Sequence, residues 1–488
     1  MILCFKMSNE KLLLTGKMSK VAWHFAIPSI ISMVVWSLYN IVDRIFVGNI
    51  PEAGSLAMTG MGLTQPIMTL VFALVMVVSV GTGTQVSIQL GARKKKLANA
   101  ILANSLKLMV GFCGLATILV TIFGKKWLGW LGADETVLPF AWEYLRWISL
   151  GWVVQGVGFV LVTALRSAGH PHMSTITNVA GTVVNIILDA WFIFGLGWGV
   201  AGAAIATVIS VAVSLGIVVW FFWKHRAELP IRIVRPSWDI DLKLTIMTAK
   251  IGVAPGAMQG ANSLVILMLN GVLLKYGGNV AVAALTIMQS IQNLAFLPVI
   301  GYCQGQQPII GFNYGAKKYS RVRENMKYSF KMCLLFGVGA WLLGILAAAP
   351  LVRLFGSDAE LIRVATFGVR ATMVMAVVVS GMFLLTNYFQ YIGKAKQALF
   401  LSFLRQMTVL LPLIYILPQF WGLNGVWVAW PVSDVIAAMI VVVVFWREWK
   451  RLPREDGRVG ERKLRKLKRE IGKEKGPELE GAEELLGV

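Results

Sequence analysis

Gly91-Ala92-Arg93-Lys94 closes one long apolar run, and Gly315-Ala316-Lys317-Lys318 closes another 224 residues later. Outward from that pair, Gly132, Asp134, Arg146 and Gly169 return at the same offset as Gly356, Asp358, Arg370 and Gly393. Trp198-Gly199-Val200-Ala201-Gly202 returns as Trp421-Gly422-Leu423-Asn424-Gly425, one residue out of register. Pro28 pairs with Pro255 at an offset of 227. Isolated matches are cheap, but a near-constant spacing across many loops is not. The chain is a duplication, and a duplicated membrane protein commonly has two halves that face each other across something that moves.

Of the 488 residues 57% are hydrophobic and only 14% charged, against about 25% charged in a soluble domain. The apolar residues gather into runs of roughly 20 or more, long enough to cross about 30 Å of hydrocarbon as helices. The fold class is therefore an all-α integral membrane protein. The net charge of +22 does not indicate a nucleic-acid partner. The Lys and Arg residues sit in short loops and tails beside apolar runs, where the positive-inside rule places them. Three of the four cysteines (Cys113, Cys303, Cys333) lie within apolar runs, Cys4 lies outside them, and none shows metal-ligand spacing. They read as small core residues. The first apolar run is too long for a signal peptide and reads as a membrane span.

Twelve spans are expected, six per half, at about 20–47, 56–88, 97–122, 139–165, 172–194 and 199–223, then 244–273, 280–310, 328–352, 364–391, 396–418 and 423–446. Residues 1–19 precede the first bundle (20–223), a connector (224–243) joins it to the second (244–446), and a charged tail occupies 447–488. Basic residues mark alternate loops: Arg93 to Lys96, Arg166, Lys224 with Arg226, Arg232 and Arg235, Lys317 with Lys318, Arg321 and Arg323, and Lys394 with Lys396. Both termini and the connector are thus expected on the cytoplasmic side. An even number of spans per half makes the halves parallel repeats about an axis along the membrane normal. In the tail, a basic stretch (Arg462, Lys463, Arg465, Lys466, Lys468, Arg469) precedes an acidic one. It reads either as lying on anionic lipid or as a solvated tail.

The places where the repeat fails are as informative as those where it holds. An ionisable side chain in hydrocarbon costs about 2.5–3.5 kcal/mol at a helix centre on insertion scales, so each asks for a reason. The first half has Asp43 near the end of span 1, Asn185 and Asp189 on one face of span 5, and Thr207 in span 6. By helical rise all four can meet in the outer half of the first bundle. They offer carboxylate, amide and hydroxyl oxygens, which suit a hard cation or a proton. Their repeat-related positions are Asn270, Val409, Leu413 and Trp430, so the second half keeps the scaffold and loses the charge. Asp43 lies beside Arg44 and has an alternative reading as an interfacial residue that snorkels outward.

The second half has charges of its own. Arg405 in span 11 lies about 14 Å from one face and Asp434 in span 12 about 16 Å from the other, so in a core of about 30 Å their depths coincide. They are expected to form a buried ion pair or to share a water-filled cavity. Gln289, Gln292 and Asn293 put a polar face on span 8, which either lines a solvated cleft or makes interhelical hydrogen bonds. Pro28, fifteen residues before Asp43, permits a kink in span 1.

Several of these residues together resemble the multidrug and toxic compound extrusion (MATE) family of cation-coupled exporters, closest to its DinF-like prokaryotic branch. The resemblance covers residues 20 to about 447. It rests on the two six-span halves and on Pro28 with Tyr39-Asn40-Ile41-Val42-Asp43 and Phe46-Val47-Gly48. Ala164-Leu165-Arg166-Ser167-Ala168-Gly169, Asn185 with Asp189, and Trp198-Gly199 with Gly202 complete it. It implies a V-shaped pair of six-helix bundles and export of amphipathic, cationic compounds driven by inward Na⁺ or H⁺, with no other cofactor. It also implies a cation site at Asp43, Asn185, Asp189 and Thr207, with Na⁺ one candidate occupant. Pro28 would be the bending proline of span 1, and Tyr39 would face the same cavity. The expected partners are a small amphipathic substrate and membrane lipid, with the protein working as a monomer in the cell membrane.

Two rival readings stand beside this one. A lipid-linked oligosaccharide flippase of related architecture would place several arginines in its cavity to hold pyrophosphate, and here Arg405 is the main candidate. A membrane enzyme using Asp43 and Asp189 as an aspartyl dyad would need the two carboxylates close enough to share a proton.

Overall fold

The computed structural model describes residues 9–51, 53–233, 239–355 and 358–457. Cys4, Lys6, Arg235, Pro236, Gly356 and both charged stretches of the tail lie outside them. The described residues form helices joined by short turns, with no strand among them.

Span 1 is Met18–Gly48, span 2 Gly54–Gly91, span 3 Lys95–Trp130, span 5 Pro171–Gly195 and span 6 Gly199–Lys224. Span 4 consists of Leu138–Leu150 and Trp152–Ser167, bent by 48°. One long helix, Leu242–Gly315, turns back on itself at Gly278 (φ 60°, ψ −159°), so it supplies spans 7 (242–277) and 8 (279–315). Span 9 is Tyr319–Leu346 and span 11 Ala395–Ile416. Span 10 consists of Ala359–Met373 and Ala376–Tyr391, bent by 50°. Span 12 is the part of Pro418–Arg451 that follows the break at Gly422 (φ 55°). Twelve crossings result among the described residues.

Some helices outrun their apolar segments. Span 3 continues to Trp130 rather than 122, span 9 starts at Tyr319 rather than 328, and the last helix ends at Arg451 rather than 446. Hydropathy registers only the stretch that matches hydrocarbon, whereas a helix continues into the polar zone as long as its side chains stay solvated. The connector is also less loop-like than its composition suggests. Leu229 and Ile231 are buried, and the Arg232 N–H donates to Asn99 Oδ1 at 2.8 Å.

The repeat is written into the backbone. Arg93 and Lys317, equivalent positions, are the non-glycine residues with left-handed φ among the described residues, at 60° and 57°. Each turn closes in the same way: Lys94 N–H donates to Gln89 C=O at 2.8 Å and Lys318 N–H to Asn313 C=O at 2.9 Å. Gly169 and Gly393 end spans 4 and 10 with φ 99° and 76°, a conformation that glycine adopts without steric cost. Gly199 and Gly422 share a left-handed φ at the shifted offset of 223.

Each lobe has its own apolar core. One cluster joins spans 1 to 6 around Phe25, Leu102, Leu145 and Leu161. Two others fill spans 7 to 12, around Tyr302, Tyr388 and Phe389 and around Leu269, Met288 and Trp427. The lobes meet at the end that carries the basic turns. There a Cβ on Gly91 would collide with the Phe312 carbonyl, and one on Gly315 with the Ile88 carbonyl. These are one contact seen from both sides of a pseudo-twofold axis. Gly81 lies against Thr248 of span 7, and its equivalent Gly305 against Phe25 and Ala26 of span 1. Polar clasps reinforce the closure. Gln307 Nε2 donates to Thr84 Oγ1 at 2.9 Å, and Arg166 Nη1 donates to Gln304 Oε1 at 3.2 Å. Toward the opposite end Leu38, Ile41, Ile45, Leu267, Leu274 and Leu294 are exposed.

Candidate cation and substrate site

Span 1 runs through Pro28 as one unbroken helix. A proline inside a helix removes one ladder hydrogen bond, and here span 5 engages the same stretch. Thr175 Oγ1 donates to the Pro28 carbonyl at 2.7 Å, and Ser32 Oγ donates to Thr175 Oγ1 at 3.0 Å. The helix that carries Asn185 and Asp189 is thereby tied to the proline turn of the helix that carries Asp43.

Asp43 is 5% exposed, so it turns into the bundle and does not snorkel, while its neighbour Arg44 is exposed. Asp189 (0%), Asn185 (1%) and Thr207 (8%) are buried too. Asn185 Nδ2 donates to Thr207 Oγ1 at 3.4 Å, and the Tyr39 hydroxyl lies 3.4 Å from the same oxygen. Asp189 lies within range of the Asp43 charge. Spans 1, 5 and 6 thus bring together the sequence-selected residues Tyr39, Asp43, Asn185, Asp189 and Thr207.

The decisive observation concerns what these residues lack. Asp43 Oδ1, Asn185 Oδ1 and both carboxylate oxygens of Asp189 are buried without a hydrogen-bond donor. Each unmet buried acceptor costs about 1–3 kcal/mol, and more if charged. Protons or a hard cation would satisfy four such atoms. No group of three or more His, Cys, Asp or Glu side chains among the described residues has a metal-binding arrangement. The donor set is instead two carboxylates, an amide and a hydroxyl, hard oxygens suited to H⁺ or Na⁺ rather than to a transition metal.

Tyr144, on the first segment of span 4, was not singled out in the sequence. It is buried (3% exposed) and lies within electrostatic range of Asp43, Tyr39 and Asp189. Its repeat equivalent is Gly368, which packs on Trp427. The loss of a tyrosine between the two halves was the available signal.

In the second lobe, Arg405 Nε donates to Asp434 Oδ1 at 2.7 Å, an ion pair between spans 11 and 12. Gln289 and Gln292 are half-buried and Asn293 is exposed. None of the three makes a side-chain hydrogen bond to a described residue, so they do not act as interhelical clasps.

With the geometry in view, the relatives can be placed. The MatE family model matches residues 28–191 and 257–416, one segment in each lobe. The chain is 28% identical over 446 residues to the multidrug export protein MepA of Staphylococcus saprophyticus, covering 90% of this chain and 96% of that one. It is 28% identical over 431 residues to MepA of Staphylococcus aureus, covering 88% and 93%. Among solved structures, an outward-facing conformation of a multidrug resistance MATE family transporter of the MOP superfamily superposes with a TM-score of 0.85 at 25% identity, covering 92% of this chain and 99% of that one. Since the family model takes in more than half of its length, the chain belongs to the MatE family, a family of transporters rather than enzymes.

Proposed function

We propose that the protein is a multidrug exporter that works as a cation-coupled antiporter, exchanging inward H⁺ or Na⁺ for amphipathic, cationic organic compounds. The four donorless oxygens of Asp43, Asn185 and Asp189 carry this reading. The 28% identity to two proteins named for multidrug export supports the substrate class. Family membership removes the aspartyl-dyad enzyme. Arg405, the main candidate for a cavity arginine, is one residue where the oligosaccharide flippase needs several.

In this reading the basic turns face the cytoplasm of a cell membrane, and the protein works as a monomer. The glycine contacts at Gly81, Gly91, Gly305 and Gly315 close the cytoplasmic side, and the cleft opens outward. A cation from outside enters the Asp43–Asp189 cluster and neutralises it. Thr175 transmits the change to the Pro28 turn of span 1, the cleft loses its hold on a cationic guest, and the lobes rock inward. The coupling requires that the cation favour one conformer over the other. Tyr39, Gln289, Gln292 and Asn293 would line the substrate path.

Purified protein in liposomes, loaded with a fluorescent cationic dye, tests the reading. Under an imposed pH gradient alone or a Na⁺ gradient alone, one of the two is expected to drive dye movement. Movement at the same rate with neither gradient would overturn antiport.

A further inference from the structure

The polar centre of the second lobe occupies the junction equivalent to that of the cation cluster: spans 7, 11 and 12 in place of 1, 5 and 6. Arg405 and Asp434 do not stand at the positions equivalent to Asn185 and Thr207. They stand at those of Gly181 and Val211, in each case four residues, one helical turn, nearer the end with the basic turns. The chemistry is inverted as well. In the first lobe every donorless atom at the junction is an acceptor oxygen. In the second, the Arg405 side chain is 24% exposed while Asp434 is 2%. Among the described residues, the terminal nitrogens of Arg405 have no protein acceptor. Trp430, in the place of Thr207 and four residues before Asp434 on the same face, holds a buried indole N–H with no partner. Gln406, next to Arg405, donates from Nε2 to Asn262 Oδ1 at 3.5 Å, and its own Oε1 is the one orphan acceptor at this junction.

Local structure serves this arrangement. Leu404–Leu410 is a π-helical segment within span 11, a geometry that recurs at functional sites because it shifts side chains off the α-helical register. Ser433 Oγ donates to the Arg405 carbonyl at 2.9 Å and fixes the widened turn to span 12. Asp434 binds Nε, so the outer edge of the guanidinium remains as a planar two-donor fork, the shape that matches a carboxylate. An arginine edge facing lipid at mid-depth would be costly, and an edge turned to the cleft avoids that cost.

We infer that Arg405, held by Asp434, forms a carboxylate-binding subsite in the second lobe, and that the protein accepts zwitterionic amphiphiles whose cationic end lies toward the Asp43–Asp189 lobe. Because the Arg405–Asp434 pair is neutral overall, it favours a dipolar guest over a simple anion. Lipid phosphates do not reach it: Arg405 lies about 15 Å from the basic end of span 11, near the middle of a core of about 30 Å. The inference rests on the exporter reading above, and the test separates the two.

The probes are a rhodamine dye with a free benzoate and its methyl ester, which share one cationic ring system. Binding is read by fluorescence anisotropy on the full-length protein in lipid nanodiscs. The parent is expected to bind the acid about tenfold more tightly than the ester. In the double variant Arg405→Gln with Asp434→Asn, which replaces the ion pair with neutral amides, the ratio should fall to about one. Arg405→Lys keeps the charge without the fork and should give an intermediate ratio. Equal binding of acid and ester by the parent overturns the subsite whether or not any variant folds, and so does a tenfold preference that survives in the double variant. If the parent exports the ester under a cation gradient but shows no preference for the acid, only the subsite falls. If it binds neither dye, the exporter reading falls with it.

Discussion

The two lobes have one backbone and two chemistries. Where they touch, they are interchangeable: Gly91 meets the carbonyl of Phe312 as Gly315 meets that of Ile88, and both basic turns strain one long cationic residue into the left-handed region. At their polar centres they differ. The first lobe buries two carboxylates and an amide with oxygens that nothing satisfies, while the second pairs its carboxylate with an arginine. Close packing tolerates no change that the partner lobe does not share, so the contact surfaces have stayed symmetric. The polar centre inside each lobe does not touch the other lobe's contact surface, and there each copy could take on its own chemistry.

The comparison breaks most visibly at Asp189. Asp189→Asn should reduce gradient-driven dye transport by about 100-fold or more while leaving the thermal unfolding midpoint within a few degrees of the parent. Adding Leu413→Asp, at the equivalent place in the second lobe, should not restore it, because Val409 and Trp430 stand where Asn185 and Thr207 supply oxygens in the first lobe. Recovery in that double variant would mean that the lobes are still chemically interchangeable. The next effect in size concerns the shared scaffold. Gly91→Leu and Gly315→Leu should each lower transport by about tenfold and by similar amounts. Spin-label distances between the lobes on the basic side should lengthen in both, and unequal effects would refute the pseudo-twofold contact. Tyr144→Phe removes one hydroxyl at the edge of the cluster and should shift the cation dependence of transport by a few-fold, with little change in the maximal rate. The smallest effect is expected at the turns. Arg93→Gly and Lys317→Gly each relieve a left-handed side-chain conformation that costs about 1–2 kcal/mol, partly offset by glycine's greater entropy in the unfolded chain. Unfolding midpoints should move up slightly and equally, and opposite shifts would separate the two turns.

Most of the fold was legible because its signals are local. Apolar runs, turn glycines and basic loops each fall within a few residues, and the offset of 224 joined them into two halves. The polar cluster of the first lobe was legible because polar residues inside apolar runs stand out and because the repeat supplied an internal control at Asn270, Val409, Leu413 and Trp430. Other features depend on distant parts of the chain. Tyr144 reads as an ordinary interfacial tyrosine until spans 1, 4 and 5 are brought together. Gly81 and Gly305 look like helix-weakening residues until each is seen against the first span of the other lobe. The π-helical segment at Leu404–Leu410 has no composition that distinguishes it from the α-helix around it. The pairing of Arg405 with Asp434 could be read from depth, but the depth argument did not say which edge of the guanidinium would remain open.

The central claim, that the coupling cation binds in the first lobe, is tested most directly by counting it. Proton uptake or release by purified protein, followed with a pH indicator, and equilibrium binding of radiolabelled Na⁺ would be compared between the parent and the double variant Asp43→Asn with Asp189→Asn. The parent is expected to bind one of the two cations saturably and the double variant neither above background. Undiminished saturable binding in the folded double variant would place the coupling site outside the first lobe and contradict the account.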